Sequence, residues 1–152
     1  MALMYSLELG TDLDQTQALK LVSDQTKLVL NSQSELTDEG LVVQIIQSSE
    51  RGQALIQDAF GFRPSLLVSF RINPNVDDSV YREAKRLLIQ VSLILLHASS
   101  GDAVLLFNGE QILLQRIAGE LTLNQRWSDW VTYDLLEAVT LPYTSRPLSS
   151  PL

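Results

Sequence analysis

The chain has 152 residues, of which 45% are hydrophobic and 19% charged, and its formal charge is −7 at pH 7. This length favours one hydrophobic core, so we predict a single α+β domain over residues 1–143 and a flexible, Pro- and Ser-rich tail over 144–152. The chain contains no cysteine, which excludes a disulfide framework, a thiolate nucleophile and a Cys-based metal site.

The charge distribution and the hydropathy restrict the partners and the compartment. The acidic excess lies mainly in residues 1–50, which hold eight acidic and two basic side chains. We expect no nucleic-acid partner, because the chain lacks a Lys/Arg stripe that could neutralise phosphates, and a basic protein would be attracted instead. The chain opens without a basic, apolar leader, and no run reaches the roughly 18 apolar residues of a membrane span. We therefore expect a cytoplasmic protein that does not contact membranes.

Alternating apolar and polar residues predict strands in the first half of the chain. These strands lie over residues 3–9, 27–31, 41–47 and 65–72. A helix is expected after the first strand, with Asp12 or Asp14 as its N-cap.

The connections between the later strands of this half differ in kind. The polar stretch 32–40 predicts an exposed loop. The stretch 48–61 predicts a short helix that ends at Gly61. We expect its inward-facing residues to be Ala54, Leu55 and Ala59.

The strongest helical pattern covers about residues 78–98. Asp77 and Asp78 stand where acidic side chains complement the free N–H groups and the positive dipole end of a helix. Apolar residues then recur at intervals of three and four, and Lys85 falls outside their stripe. The stripe consists of Val80, Ala84, Leu87, Leu88, Val91, Ile94, Leu95 and Ala98. Leu93 and Leu96 lie beyond it, so the C-terminal half of the helix should be covered on more than one side.

A three-strand meander is predicted after this helix. Asn108-Gly109 favours a type I′ hairpin turn, which would pair Leu105 with Ile112. A second turn at Ala118-Gly119 would pair Leu114 with Leu123 and Arg116 with Leu121. Both turns place one set of apolar residues on the same face. That set is Leu105, Phe107, Ile112, Leu114, Leu121 and Leu123.

Residues 126–139 predict a turn and a short helix that fold back on the sheet. Trp127 and Trp130 cap the core in this interpretation, although an exposed binding patch is the alternative. The whole pattern predicts an α+β fold with a mainly antiparallel sheet. The long helix and the shorter N-terminal helix pack on one of its faces, and the meander forms its C-terminal part.

Residue chemistry gives few functional candidates. Glu35, Asp38, Glu39 and Glu50 could form a face for a basic partner, and a solvated loop is the alternative interpretation. His97 is the only histidine, and we interpret it as structural because no triad or metal-ligand pattern accompanies it. Glycine-rich nucleotide loops, a serine nucleophile elbow and a zinc-protease helix motif are all absent from the sequence. We therefore predict no catalytic residue, metal or cofactor.

Several stretches resemble one protein family. The segment GDAVLLFNGEQILLQRIAGELTLN, which ends at Asn124, is similar to the C-terminal signature of the swarming-inhibition toxin immunity proteins, the Sit-type immunity family of polymorphic toxin systems. The opening MYSLELGTDLDQTQAL and the segment RGQALIQDAFGFRPSLLVSFRI support the resemblance, as does the Trp-containing piece after the meander. The resemblance implies a non-catalytic protein that binds and neutralises a cognate toxin, and the negative net charge favours a basic one.

Two other functions stay open on the sequence alone. One is a small-molecule-binding domain or enzyme with a pocket between sheet and helix, for which the chain offers few convergent polar groups. The other is a homo-oligomeric structural module.

Overall fold

The secondary structure follows the predicted order, with additional short elements. The structure is a computed structural model and describes residues 2–152. Its helices are Gln15–Gln25 (α1), Glu50–Phe60 (α2), Asp78–His97 (α3) and Asp129–Thr132 (α4), followed by a 3₁₀ helix over Leu135–Ala138. Its strands are Leu3–Leu9 (β1), Val29–Leu30 (β2), Leu36–Asp38 (β3), Leu41–Gln47 (β4), Leu66–Ile72 (β5), Ala103–Phe107 (β6), Gln111–Ile117 (β7), Glu120–Asn124 (β8) and Thr144–Arg146 (β9).

One open sheet contains all these strands, in the order β2-β3-β4-β5-β1-β6-β7-β8-β9. Every neighbouring pair of strands described here is antiparallel except β8 and β9, which run parallel. β5 and β6 flank β1, so α3 crosses the sheet to connect them. The prediction of an α+β fold with a mainly antiparallel sheet is confirmed.

The main core lies between the sheet and the helices α1 and α3. From α3 it contains the predicted stripe residues Ala84, Leu87, Leu88, Val91 and Leu95, and also Leu93 and Leu96. Burial of this second set confirms that the C-terminal half of α3 is covered on more than one side. Ala18 and Val22 bring α1 into the same cluster, so α1 and α3 share one face of the sheet, as predicted. Asp14 caps α1 through a capping box with Gln17.

The C-terminal end of α3 is held by a side chain from the meander. The guanidinium of Arg116 donates hydrogen bonds to the carbonyl oxygens of Leu96, Ser99 and Gly101, at 2.6, 2.9 and 2.9 Å. Leu96 lies in the last turn of α3, where carbonyls lack a regular helical partner, and Ser99 and Gly101 follow the helix, so these bonds add donors where the helix ends. Arg116 thereby ties β7 to the helix that precedes the meander.

The second turn of the meander has the predicted register, while the first hairpin departs from it. Leu114 pairs with Leu123 and Arg116 with Leu121. In the first hairpin, however, Leu105 pairs with Leu114, and Ile112 pairs with Leu106 because the register shifts between residues 105 and 106. This bulge turns Ile112 to the opposite face, so the predicted single face is wrong for that residue. Ile112 belongs to a second apolar cluster.

That second cluster explains why the predicted inner face of α2 is wrong. α2 lies on the opposite side of the sheet from α1 and α3, and its Ile56 is buried against Val104, Leu106 and Ile112. Leu55 is 56% exposed, and Ala54 is exposed as well. The apolar spacing that matters in α2 is therefore Ile56 to Phe60, four residues apart on one helical face.

Two segments predicted to be irregular contain strands. The predicted loop over 32–40 includes β3, whose Leu36 is fully buried. In the Pro- and Ser-rich segment over 144–152, Thr144–Arg146 form β9 and Leu148 is buried in the second cluster. The side chain of Asn124 holds this segment, since its amide donates to the carbonyl of Leu148 and accepts from the N–H of Leu148.

The stripe of α3 generates the first prediction. Val91→Asp places an unpaired carboxylate at a fully buried position, so we expect a loss of about 4 kcal/mol or more in unfolding free energy, enough to unfold the domain. Val131 is 76% exposed, and Val131→Asp is the matched control that should leave stability nearly unchanged. Chemical denaturation measures the unfolding free energy of both variants. A cooperatively folded Val91→Asp variant would show that this face of α3 is not in the core.

A carboxyl group on the opposite face of β1 generates the second prediction. Glu8 pairs with Leu67 of β5 and Val104 of β6, and this partly apolar setting raises the pKa of Glu8 from 4.5 to about 7 by burial. The folded protein then binds more protons than the unfolded chain between these two pH values. The Glu8 contribution to stability is therefore present below pH 4.5 and lost as pH rises through 7.

Glu8→Gln removes this titration. At pH 8 we expect the variant to exceed the wild type in unfolding free energy by about 1 to 3 kcal/mol, since one pKa unit corresponds to roughly 1.4 kcal/mol and solvent contact reduces the effect. Near pH 4.5 the difference should be close to zero. Urea titrations of both proteins at the two pH values test this, and an equal difference at both would contradict the raised pKa.

Candidate functional site

Three of the four predicted partner-binding acids lie together at one edge of the sheet, here called the acidic edge. It consists of the β2–β3–β4 hairpins with Glu35, Asp38 and Glu39. Asn31 shapes the first of these turns: its amide donates to the Glu35 carboxylate at 3.1 Å, and its side-chain oxygen accepts from the N–H groups of Gln33 and Glu35. Glu39 is exposed in the tight turn between β3 and β4. The acids thus stand on ordered hairpins.

One lysine partly compensates the charge of the acidic edge. The ammonium of Lys27 lies 3.5 Å from Asp38 and 3.7 Å from Glu83 of α3. The lysine side chain is 54% exposed, so water and salt screen these pairs and they add little to stability. Three carboxylates against one ammonium leave the acidic edge with a negative charge.

Glu50 lies away from the acidic edge. It occupies the first turn of α2, after the far end of β4. The seven residues of β4 span roughly 20 Å at about 3.3 Å per residue, which separates Glu50 from Glu39 by a similar distance. At the start of a helix the carboxylate also complements the positive dipole end.

The two tryptophans are buried, as the core-capping interpretation predicts, whereas His97 is exposed. Trp127 and Trp130 are 7% and 4% exposed and pack edge to face with ring centroids 4.8 Å apart. The indole N–H of Trp130 donates to the carbonyl of Asn124. The two rings therefore cap the core and form no exposed patch. His97 is exposed at the end of α3, beside a shallow cleft that Leu21 and Thr140 also line.

Lys85 is the residue that sequence reasoning misplaced. It lies outside the apolar stripe of α3, yet it is only 3% exposed. Its ammonium donates to the hydroxyl of Tyr5 at 2.8 Å and forms an ion pair with Asp129. Aromatic rings surround it at 5.3 to 5.6 Å, a distance at which a cation is attracted to the ring face. These rings belong to Tyr5, Tyr81, Trp127 and Tyr133.

The protonation state of this buried lysine follows from its partners. Burial by itself lowers the pKa of a lysine, but the hydrogen bonds and charges of Asp129 and Tyr5 outweigh it and raise the pKa of Lys85 above its usual range. For the Tyr5 hydroxyl burial acts in the opposite direction and is the main cause of its raised pKa. Lys85 therefore stays a cation near neutral pH. A protonated lysine is neither a nucleophile nor a general base, so the aromatic enclosure fixes a charge and does not activate it.

A polar cleft lies at one end of the sheet. It measures about 580 Å³ and lies between the end of β1 and the end of α3. Its hydroxyl groups bond one another: Thr11 with Ser99 at 2.7 Å, and Ser65 with the Thr11 carbonyl at 2.8 Å. These bonds join β1, β5 and the end of α3, so they have a structural role.

Within residues 2–152 no three His, Cys, Asp or Glu side chains come together as a metal site would require. Among the helices of that range, none combines the length and the apolar character of a membrane span.

The enclosure of Lys85 generates the third prediction. Lys85→Met leaves Asp129 and the Tyr5 hydroxyl without their partner, and we expect a loss of about 3 kcal/mol in unfolding free energy. The double variant Lys85→Met/Asp129→Leu should recover part of this loss, because removing both charges removes the unpaired one. Lys20→Met on α1 is the matched control, since Lys20 forms an exposed ion pair with Asp24. Equal stability of Lys85→Met and wild type in urea titrations would contradict this interpretation.

Comparison with known proteins identifies the family. No curated protein and no solved structure gives a significant match to the chain. A family model described as SitI3-like matches residues 3–134, which include both hairpins of the acidic edge, α3 and the whole meander. The resemblance seen in the sequence and this match agree, and the chain belongs to the SitI3-like family.

Proposed function

We propose that the chain is a non-catalytic immunity protein that binds and neutralises a cognate polymorphic toxin. The observation that carries this proposal is the SitI3-like match over residues 3–134, since an immunity family implies a toxin as partner. Binding alone can block a toxin, so no reaction is needed.

The toxin surface that meets this protein is basic in our proposal, and the acidic edge is the contact. Glu35, Asp38 and Glu39 lie on one rim of the sheet. Lys27 pairs with Asp38, and Arg71 of β5 lines the cleft beside it, so these three acids still outnumber the two nearby cations. Complementary charge across an interface steers the encounter and raises the association rate more than it raises the affinity. Glu50 contributes to the long-range field and lies outside this contact.

The fourth prediction tests the function itself. Co-expression with the toxin encoded beside this chain's gene should restore growth of cells that the toxin alone inhibits, and the two proteins should co-purify. Neutralisation by binding requires both outcomes. Absence of both rescue and co-purification would contradict the proposal.

The same complex tests the acidic edge through association kinetics. Glu39→Lys should lower the association rate at low salt by about 10-fold, with a smaller effect at high salt where charges are screened. Glu110→Lys is the matched control: Glu110 is also an exposed turn residue, but it lies at the β6–β7 turn. The sheet order places that turn roughly 24 Å from β3 at about 4.8 Å per strand. Equal effects of the two substitutions would show that the acidic edge is not the contact.

A further inference from the structure

β2 ends the sheet with backbone groups that point outward. It pairs only with β3 in the strand order, Val29 with Thr37 and Leu30 with Leu36. The N–H of Asn31 donates to the carbonyl of Glu35, which shows that the backbone of residue 31 faces β3. Adjacent residues of an antiparallel strand face opposite sides, so the N–H and C=O of Leu30 point away from the sheet.

A row of apolar residues, paired from strand to strand across the sheet, continues to β2 and ends there in an apolar residue. Leu30 pairs with Leu36, which pairs with Val43, and Val43 pairs with Phe70 of β5. The inner three of these are fully buried, while Leu30 is 52% exposed. On the other face Val29 is 66% exposed. Leu30 is therefore the one member of this row that lacks a neighbouring strand on its outer side.

The opposite edge of the sheet is built differently. β9 presents Thr144, Ser145 and Arg146, all exposed, and prolines at 142 and 147 stand on either side of it. Polar side chains, charge and proline are the usual devices that prevent a further strand from pairing at an edge. β2 is short, but it presents two apolar β-formers and no proline. The β2 edge is therefore better suited than the β9 edge to pair with a further strand.

We propose that the outer edge of β2 accepts an extended segment of the toxin as an additional strand of the sheet. An apolar residue of that segment lies beside Leu30 and extends the buried row, while its lysine or arginine residues reach the carboxylates of Glu35, Asp38 and Glu39. Backbone hydrogen bonds at Leu30 supply affinity, and the alternating side chains supply specificity. This inference rests on the proposed function and names the part of the toxin that the acidic edge recognises.

Amide hydrogen exchange in the complex is the direct test. The outward N–H of Leu30 should exchange rapidly in the free protein and become protected by about 100-fold or more when a toxin strand accepts its hydrogen bond. The probe is the toxin encoded beside this chain's gene, mixed with the full-length protein. The outward amides of β9 serve as the internal reference and should not change.

Two substitutions separate the backbone from the side-chain contribution. Leu30→Pro removes the outward N–H without removing a bond to β3, and we expect it to weaken toxin binding by about 10-fold or more. Leu30→Lys places a cation against the basic segment and should weaken binding similarly. Leu55→Lys is the matched control, because Leu55 is 56% exposed but lies on α2, and its binding should equal that of the wild type. Thermal unfolding of each variant establishes that it is folded.

The possible outcomes distinguish this inference from the function on which it rests. If wild-type protein binds the toxin, but Leu30 stays unprotected and both Leu30 variants bind normally, the edge proposal is overturned and the immunity function stands. A dimer of this chain that Leu30→Lys dissociates would also overturn it, because the edge would then pair two copies. If the wild type does not bind the toxin at all, both proposals fail.

Discussion

The fold depends on the burial of α3 against the strand at the centre of the sheet. β1 is the first strand in the chain, yet it pairs with β5 on one side and β6 on the other, so the chain must return twice to complete the middle of the sheet. α3 connects β5 to β6 across β1, and its stripe covers all three strands. Burial of seven large apolar residues of α3, each worth roughly 1.5 to 3 kcal/mol, outweighs any surface ion pair.

Two cations then fix this helix to other elements of the fold. Near its N-terminal half Lys85 binds Asp129 of α4 and Tyr5 of β1. At its C-terminal end Arg116 of β7 binds three carbonyl oxygens. A buried charge is costly without partners, so each contact favours one arrangement of α3 relative to the meander and α4 over looser alternatives.

Local patterns predicted the elements of the fold, and long-range contacts account for what they missed. The alternation in β1 and the turn at Ala118-Gly119 depend on neighbours in sequence, and both are confirmed. The stripe of α3 is confirmed for its central residues, but Ala98, its predicted last member, is exposed. The Lys85 enclosure joins residues 44 and 80 positions apart, so no local spacing signals it. The one local clue in the sequence was the close spacing of aromatic residues at 127, 130 and 133, two of which lie against the Lys85 ammonium.

The remaining differences have the same physical origin. Ile112 changes face because of a bulge, and a single inserted residue reverses the side-chain alternation that follows. α2 buries Ile56 because it packs on the second face of the sheet. The local sequence of α2 does not show which face of the sheet the helix will cover. For the candidate site, the sequence grouped four acids, and only the strand order showed that three of them share one edge of the sheet while Glu50 lies elsewhere.

The position of the functional surface follows from how the rest of the molecule is occupied. One face of the sheet is covered by α1 and α3, α2 covers part of the other, and β9 blocks one edge with polar residues and flanking prolines. The β2 edge combines exposed apolar side chains, outward backbone groups and nearby carboxylates. A protein that acts only by binding needs a surface where desolvation, hydrogen bonding and charge complementarity coincide. That combination favours our proposal that the β2 edge, rather than the buried residues that define the family signature, is the part of this chain that distinguishes one toxin from another.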